Sequence, residues 1–478
     1  MASNGEQVER GSGTPLYRQV AEILRQRIER GLVRPGERIS TEYEFCDEFG
    51  VSRTSIRQAL SELVHEGLLQ RRQGSGTYVR SEFGLGSHTI TALVTEDPWV
   101  VPLKEAVSSF NAGNPATPLK LDVEVLGRPQ LRQKILAAVG RGEAPDLALV
   151  DWPWVAEFAA LHFLHSLDEL DGEWVEAFRD DLFPAFADET QPPLYAIQPE
   201  ANVSVIWYRR DWLKEAGIAP PSSWTELVDA ASHFAQNGRG GIAFVAGTTA
   251  GETTTYQLLP FLWSAGADFF SNRSGEIDDR VVSAVQFLLD LVKTHQVSPS
   301  EAPFFSWDRP ARLFAAGETA FAVGGSYEKP RIQELAGWDE AAFEQHVGYM
   351  PVPPPPGGHP AAVVGGMAFV VFQQSGNPQL AFEIVKRVAS PKLMRAFCAH
   401  SGRCPTRVSV AQSLDQTTDR FSKEIAELLH TARPRCGIAE YSKVSEQFQL
   451  MVEDAITERL SPTQAVRRAS EIIRILLG

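Results

Sequence analysis

Apolar residues recur at helical spacing through the first part of the chain. A helix that opens at residue 15 would carry five of them on one face: Leu16, Val20, Ile23, Leu24 and Ile28. Residues 41–50 predict a short second helix that stops at Gly50. A third helix would carry a further apolar face: Ile56, Leu60, Leu63 and Val64. Three short amphipathic helices predict a small domain with its own core.

The first turn of the third helix carries side chains that suit nucleic acid. Ser52 is a good N-cap, because its hydroxyl can accept from the free amides of the helix. Two arginines and two hydroxyls then point away from the apolar face: Arg53, Thr54, Ser55 and Arg57. Such groups bind phosphates and guanine edges in a major groove. Residues 69–79 predict a hairpin that follows this helix as a wing. The alternative is an ordinary amphipathic helix with a solvated basic face.

Residues 14–80 resemble the winged helix-turn-helix of GntR-family bacterial repressors. The resemblance rests on PLYRQV, GLVRPGERIS, FGVSRTSIRQAL and EGLLQRRQGSGTYV. It implies that seven residues of the helix and wing contact an operator: Arg53, Thr54, Ser55, Arg57, Gln73, Gly74 and Ser75. The family usually has a proline, and often an arginine, where this chain has residues 39–43. Tyr43 is therefore expected to reach a phosphate rather than a base.

The charge of the chain is unevenly divided. Residues 1–82 hold twelve arginines, no lysine and twelve acidic residues, whereas the rest holds 33 basic and 48 acidic residues. The whole formal net charge of −15 thus lies outside the N-terminal domain. DNA would repel such a body, which suits a sensor held away from the duplex.

Length and composition indicate a multidomain cytoplasmic protein. We expect two or three domains in 478 residues, with a disordered tail at 1–13 and a linker at 81–87. No run of eighteen apolar residues predicts a membrane span, and the N-terminus lacks the apolar core of a signal peptide. The four cysteines have no metal-like or redox spacing and are expected to be reduced thiols.

The body from residue 88 onwards alternates between strand and helix patterns. Strands are predicted at 88–94, 119–126 and 147–150, with helices at 98–110 and 128–139. This order predicts an α/β fold with a largely parallel sheet, whose ligands bind at the carboxyl ends of the strands. The strand ends carry TEDPW and DWPW. Carboxylates accept from sugar hydroxyls and indoles cover a pyranose face, so these ends predict a sugar site.

Residues 88–478 resemble the extracellular solute-binding proteins of ABC importers, in particular the maltose-binding-protein-like group. The segments that carry the resemblance include GEAPDLALVDWPWVAEFAALHFLHSLDEL, FLWSAGADFF and LFAAGETAFAVGGSY. It implies two periplasmic-binding-protein-like α/β lobes that close on a ligand. Lobe one would comprise about 88–198 and 368–412, and lobe two about 199–364 and 413–478. Crossings are expected near 197–202, near 365–367 and after Pro405.

The resemblance and the strand ends together predict eleven ligand-binding residues: Asp97, Trp99, Asp151, Trp152, Glu200, Asn202, Trp263, Ser326, Tyr327, Met367 and Arg403. Some have structural alternatives. Asp97 could simply cap a helix, Glu200 could be solvated, and one of Trp152 and Trp154 is expected to lie in the core.

No motif in the sequence predicts catalysis. We find no GxSxG elbow, P-loop or full dinucleotide fingerprint, and His162 and His165 lack a third metal ligand. We therefore expect no enzymatic activity, no cofactor and no metal. The hypothesis is a cytoplasmic transcription regulator that binds an inverted-repeat operator as a homodimer and senses a carbohydrate by cleft closure. Two alternatives remain open: a ligand-free dimerisation or partner-docking body, and a metabolic enzyme with a DNA-binding head.

Overall fold

A computed structural model describes most of the chain. The described residues are 8, 15–29, 33, 36–65, 68–72, 76–79, 89–115, 117–186, 193–270, 276–399, 401–415, 420–435 and 437–478. Two compact units can be distinguished, residues 1–90 with 107–122 and residues 91–106 with 123–478. The predicted tail and linker, and the predicted DNA contacts Gln73, Gly74 and Ser75, lie outside the described residues.

The described part of residues 15–79 forms three helices and a hairpin: α1 (Leu16–Glu29), α2 (Glu42–Phe49), α3 (Arg53–His65), β1 (Leu69–Arg72) and β2 (Gly76–Val79). Its core is apolar and includes Val20, Phe45 and Ile56. Thr41 and Glu44 form a capping box at α2, and Gly50 ends that helix in the left-handed conformation. The strands pair antiparallel, with Leu69 opposite Val79. The predicted winged helix-turn-helix fold is thereby confirmed.

The body begins with lobe one: β3 (Thr89–Val94), α4 (Val100–Gly113), β4 (Lys120–Val125), α5 (Arg128–Gly140), β5 (Leu147–Asp151), α6 (Trp154–Ala160), α7 (Leu167–Asp180) and β6 (Ala196–Ile197). Lobe two follows: β7 (Glu200–Arg209), α8 (Arg210–Ala216), α9 (Trp224–Gln236), β8 (Gly240–Ala243), α10 (Glu252–Ser264), α11 (Asp279–Lys293), α12 (Arg309–Ala315), β9 (Thr319–Gly325), α13 (Lys329–Ala336), α14 (Glu340–His346), β10 (Val347–Met350) and β11 (Val363–Gly365).

The chain then revisits both lobes: β12 (Met367–Val371), α15 (Pro378–Val388), α16 (Pro391–Cys398), β13 (Cys404–Pro405), α17 (Val408–Gln412), α18 (Arg420–Leu428), β14 (Arg433–Pro434), α19 (Tyr441–Ile456) and α20 (Pro462–Leu477). Short 3-10 turns also connect these elements: Asp97–Trp99, Pro184–Phe186, Thr248–Ala250, Ala302–Phe304 and Ser326–Glu328. Within the described residues, no helix is long and apolar enough to cross a membrane.

Each lobe is built on one mixed sheet. The sheet of lobe one has the order β4-β3-β5-β12-β6, with β3 and β5 parallel and β12 antiparallel to both of its neighbours. The sheet of lobe two has the order β14-β11-β7-β9-β8, and β10 and β13 also pair with β7. The fold is therefore the predicted α/β arrangement of two lobes.

Chain crossings join the two sheets. One lies between β6 and β7, and another is the single residue Gly366 between β11 and β12. The third crossing corrects the prediction, which placed it after Pro405. Cys404 already pairs with Ala201 of β7, so the chain has reached the sheet of lobe two before β13. The reason is that this short strand covers an edge of β7 that would otherwise lack backbone partners.

Candidate functional site

A cleft between the lobes is lined by charged side chains, and three of them are buried: Asp151, Arg403 and Arg435. It is lined by Glu96, Arg128, Asp151, Asn202, Glu252, Thr253, Tyr256, Tyr327, Gly365, Gly366, Met367, Arg403 and Arg435. The free space left among them is about 20 Å³. That is close to the room needed by a single water, because the side chains fill the cleft with contacts to one another.

Lobe one contributes a guanidinium between two carboxylates. Asp151 ends β5, Glu96 follows β3, and Arg128 begins α5, so the parallel strands bring all three to one edge of the sheet. Arg128 Nη1 lies 3.5 Å from Asp151 Oδ2, and Arg128 Nη2 lies 3.5 Å from Glu96 Oε1. The two carboxylates, Asp151 foremost, raise the pKa of the guanidinium. Both contacts are longer than a strong charged hydrogen bond, so Arg128 has donors that can turn to a ligand.

Glu200 and Arg403 occupy the crossings. Glu200 is fully buried, and its Oε1 accepts a hydrogen bond of 2.9 Å from the backbone N–H of Met367. Burial raises the pKa of this carboxyl to about 7, although Arg403 Nε lies 3.4 Å from its Oε2. Arg403 also donates to Glu96 Oε2 at 2.6 Å. Burial opposes the ionisation of Glu96, but Arg403 and Arg128 outweigh it and the pKa of Glu96 is lowered.

Lobe two contributes groups held by the packing of α10 against α19. Glu252 accepts hydrogen bonds of 2.6 Å from Arg435, Tyr441 and Ser445. Tyr256 donates to Asn202 Oδ1 at 2.7 Å. The Nε of Arg435 is buried and has no hydrogen-bond partner among the described residues. The cleft therefore presents guanidinium and phenol donors beside carboxylate and amide acceptors, which is the mixture that a polyhydroxylated ligand requires.

The structure brings five of the predicted ligand residues to the cleft: Asp151, Asn202, Tyr327, Met367 and Arg403. Glu200 lies directly behind them, in contact with Met367 and Arg403. It is buried and hydrogen-bonded, so the alternative of a solvated side chain is wrong.

Three predicted indoles lie elsewhere, which corrects their assignment. Trp99 is 1% exposed and stacks on Phe397 at 3.9 Å, inside lobe one. Trp152 belongs to the apolar core of the same lobe. Trp263 packs in the core of lobe two, where the guanidinium of Arg433 covers its ring at 4.6 Å. Burial of these large rings in the cores removes more apolar area from water than the small polar cleft could, and so stabilises the fold more.

Two predicted polar residues are also displaced from the cleft. Asp97 begins a 3-10 turn and is exposed, whereas the neighbouring Glu96 lines the cleft. Ser326 accepts a 3.2 Å hydrogen bond from the N–H of Val203, which is a structural contact between β7 and the 3-10 turn that follows β9.

The sequence reasoning missed the other side chains that line the cleft: Glu96, Arg128, Glu252, Thr253, Tyr256 and Arg435. Glu96 belongs to the strand end TEDPW, so the position of that strand end also predicts Glu96. Arg128 is the first residue of a predicted helix and carries no such signal. Glu252 and Arg435 lie far apart in sequence, and only the packing of lobe two joins them.

The predicted DNA-contacting residues of the described helices form one exposed surface. Arg53, Thr54 and Arg57 are exposed on the first turn of α3, Ser55 is partly exposed, and Tyr43 of α2 is 64% exposed. Arg53 donates to the hydroxyl of Tyr43 at 2.9 Å and lies over its ring. Glu42 pairs with both arginines, at 2.8 Å from Arg53 Nε and 3.0 Å from Arg57 Nε.

Two lobes joined by crossings, with a polar cleft between them, define the body as a two-lobed solute-binding protein. Residues 92–394 match the family of bacterial extracellular solute-binding proteins, and the chain belongs to that family. Residues 16–79 match the bacterial regulatory proteins of the gntR family. The chain thus joins a gntR-type DNA-binding domain to a solute-binding-protein domain.

The following proteins each resemble one of the two domains. The mannosyl-D-glycerate transport/metabolism system repressor MngR of Escherichia coli is 52% identical over 68 residues, which are 14% of this chain and 28% of that repressor. A probable ABC transporter-binding protein of Deinococcus radiodurans is 24% identical over 74% of this chain and 85% of its own. A tagatose-bound solute-binding protein of Thermotoga lettingae superposes with a TM-score of 0.70, at 24% identity, over 82% of this chain and 100% of its own.

Proposed function

We propose that this protein is a cytoplasmic transcriptional regulator whose solute-binding domain senses a carbohydrate by closing around it. One observation carries the proposal: a single chain holds both an exposed arginine-bearing recognition helix and a cleft lined by hydrogen-bonding groups of two lobes. The first suits an operator, and the second suits a small polar ligand.

The chemistry of the cleft supports a carbohydrate. Each sugar hydroxyl donates one hydrogen bond and accepts others, so it needs a carboxylate or amide oxygen beside an N–H donor. Asp151 and Arg128 provide such a pair on one side, and Asn202 and Arg435 provide acceptor and donor on the other. Two solved structures of this fold, from Thermotoga, are described as bound with tagatose and with maltose.

The mechanism follows from binding equilibria. A ligand held by both lobes favours the closed arrangement, because only closure satisfies its contacts with both. It can change the affinity for DNA only by its preference between two states of the protein. In our proposal the protein is a homodimer on an inverted repeat, and closure alters how its two recognition helices fit the half-sites.

The test compares two aspartates of lobe one that each pair with a cation. Asp151→Asn removes a cleft carboxylate, whereas Asp171→Asn alters an aspartate that pairs with Lys386 away from the cleft residues. A panel of sugars is screened by thermal shift, and operator binding is titrated with and without the sugar that stabilises the wild type. We expect Asp151→Asn to weaken sugar binding by about 1–3 kcal/mol and to abolish the effect on DNA. A full response in Asp151→Asn, equal to that of Asp171→Asn, would disprove the cleft assignment.

A second candidate function is favoured by the small free volume of the cleft. A body whose charged groups satisfy one another could serve only for dimerisation or partner docking. In that case no member of the sugar panel would raise the melting temperature, and operator affinity would be independent of every sugar tested.

A further inference from the structure

A second and larger cavity adjoins the charged cleft. Its volume is about 540 Å³, and it shares Tyr327 and Arg403 with the cleft, so the two spaces meet at these side chains. Its walls come from α4 and α16 of lobe one and from α13 of lobe two. We call this space the annex. Unlike the cleft, it has the volume of an ordinary small-molecule site.

Seven of the thirteen residues that line the annex are apolar. They comprise Pro98, Val101, Pro102, Pro330, Leu393, Ala396 and Phe397. Val101 is 58% exposed, which is a high value for a large aliphatic side chain beside other apolar groups. Three of the charged residues that line the annex are partly or fully exposed: Glu105, Arg331 and Glu334, of which the last two pair at 2.7 Å. The fourth, Arg403, is buried where the annex meets the cleft.

We propose that the natural effector is a glycoside with an apolar aglycone, whose sugar occupies the charged cleft and whose aglycone occupies the annex. This inference rests on the proposed sugar-sensing function. It adds the chemical class of the ligand: an aryl or short alkyl glycoside rather than a free sugar. Tyr327 and Arg403 would flank the glycosidic bond, because they are the residues common to both spaces.

A further sugar ring fits the annex less well than an apolar group does. Hydroxyls directed away from Ser401, Arg403 and the exposed charged side chains would face proline, leucine and phenylalanine carbons. Each hydroxyl that loses water there without gaining a partner costs free energy. An apolar group gains free energy on the same walls. Space is sufficient, since a cavity of about 150 Å³ already accepts benzene.

The experiment uses matched pairs of probes on the full-length protein. Methyl and phenyl β-glycosides of glucose, galactose, mannose and N-acetylglucosamine are compared by calorimetry, with maltose and maltotriose alongside. For the hexose that binds, we expect the phenyl glycoside to bind about tenfold tighter than the methyl glycoside, because the ring buries additional apolar area.

Variants of α16 and α4 locate the effect. Ala396→Trp fills the annex and is expected to bring the phenyl-to-methyl affinity ratio to about one. Lys392→Trp is the control, because Lys392 is an exposed residue of the same helix that does not line the annex. This control should keep the ratio at its wild-type value. Val101→Glu places a charge on the opposite wall and should also bring the phenyl-to-methyl affinity ratio to about one. This second variant tests the annex if Ala396→Trp fails to fold.

The possible failures are distinguishable. Equal affinity for methyl and phenyl glycosides in the wild type, or a ratio that survives both Ala396→Trp and Val101→Glu, overturns the annex and leaves the sugar sensor intact. A preference for maltotriose that Ala396→Trp removes also overturns it, because the annex would then hold a sugar. If no probe binds the wild type, the proposed function fails together with this inference.

Discussion

At the scale of single residues, Glu42 controls the charge that α3 presents. Its carboxylate pairs with both Arg53 and Arg57, and hydrogen bonds from these two outweigh the effect of burial and lower the pKa of Glu42. Glu42 thereby orients both guanidiniums. A phosphate or a guanine base must compete with Glu42 to bind them. Partly exposed ion pairs of this kind are weak enough for DNA to replace them.

Substitutions on this surface should act in opposite directions. Arg53→Ala and Arg57→Ala are each expected to weaken specific operator binding by about 1–3 kcal/mol, because each removes a base or phosphate contact. Glu42→Gln should tighten binding to random duplex several-fold at low salt, since two cations lose their internal counter-charge. Gel shifts over a range of salt concentrations measure both effects. Weaker binding by Glu42→Gln would instead mean that orientation by the carboxylate matters more than competition.

A second residue-scale prediction concerns Glu328, which is buried behind the cleft. Its Oε2 accepts from the N–H of Gly325 and from Trp207 Nε1, both at 3.1 Å, and burial raises its pKa to about 8. A raised pKa means that the folded state binds the proton more tightly. The resulting stability is complete below the ordinary pKa of about 4.5 and is lost as the pH rises through 8.

We therefore expect the free energy of unfolding to fall by about 1 kcal/mol per pH unit between pH 6 and pH 8 on account of this group. Glu328→Gln retains both acceptor contacts and should remove that part of the slope. Denaturant titrations of both proteins at pH 6, 7 and 8 test this, and identical slopes would contradict the assignment.

At the scale of elements, β7 organises the cleft. All ten of its residues are buried, its first half pairs with β13 and β11, and its second half pairs with β9 and β10. Glu200 and Asn202 lie at its start, so they are held by a fully buried strand that pairs with four others. At the adjacent crossing, Gly366 has a φ of +146°, a backbone conformation that residues with a side chain rarely adopt.

Gly366→Ala should be markedly destabilising. A Cβ there would lie 2.1 Å from Gln198 Nε2 and 2.7 Å from the carbonyl oxygen of Glu200, in addition to the backbone strain. We expect a loss of about 2 kcal/mol or more in the free energy of unfolding. Gly376→Ala is the control, because a Cβ at that position meets no atom within 4 Å. Thermal and denaturant melts of both variants give the comparison, and equal stability would refute the argument.

At the scale of the whole molecule, the proposed function requires two chains on one operator. The winged domain has one recognition helix, and one helix reads only a half-site. We expect two chains on a full inverted repeat, with affinity falling by at least about tenfold when one half-site is scrambled. Light scattering of the complex and gel shifts on full and half operators measure this. A single chain on the full operator would exclude the homodimer.

The sequence predicted the architecture better than it predicted the cleft. Periodicity predicted helices such as α3, because burial of one face leaves a repeating pattern in the local sequence. A continuous apolar run predicted β5, which is buried at every position. It also identified Asp151, since the end of a parallel strand is a recognisable place. Local sequence does not determine which side chain at a strand end faces the cleft. For this reason Asp97 and Trp99 were predicted there, whereas Glu96 lines the cleft. It had no means to join Glu252 to Arg435, whose contact depends on the packing of distant helices.

The crowding of the cleft has a consequence for selectivity. Because carboxylates and guanidiniums already contact one another there, a sugar can enter only by exchange, replacing internal ion pairs with hydrogen bonds of comparable strength. The net gain for a correct ligand is then modest. An epimer with one misplaced hydroxyl, however, separates the same charges and leaves one of them without a partner, at a cost of several kcal/mol. The proposed sensor would therefore bind its ligand weakly but reject stereoisomers of that ligand strongly.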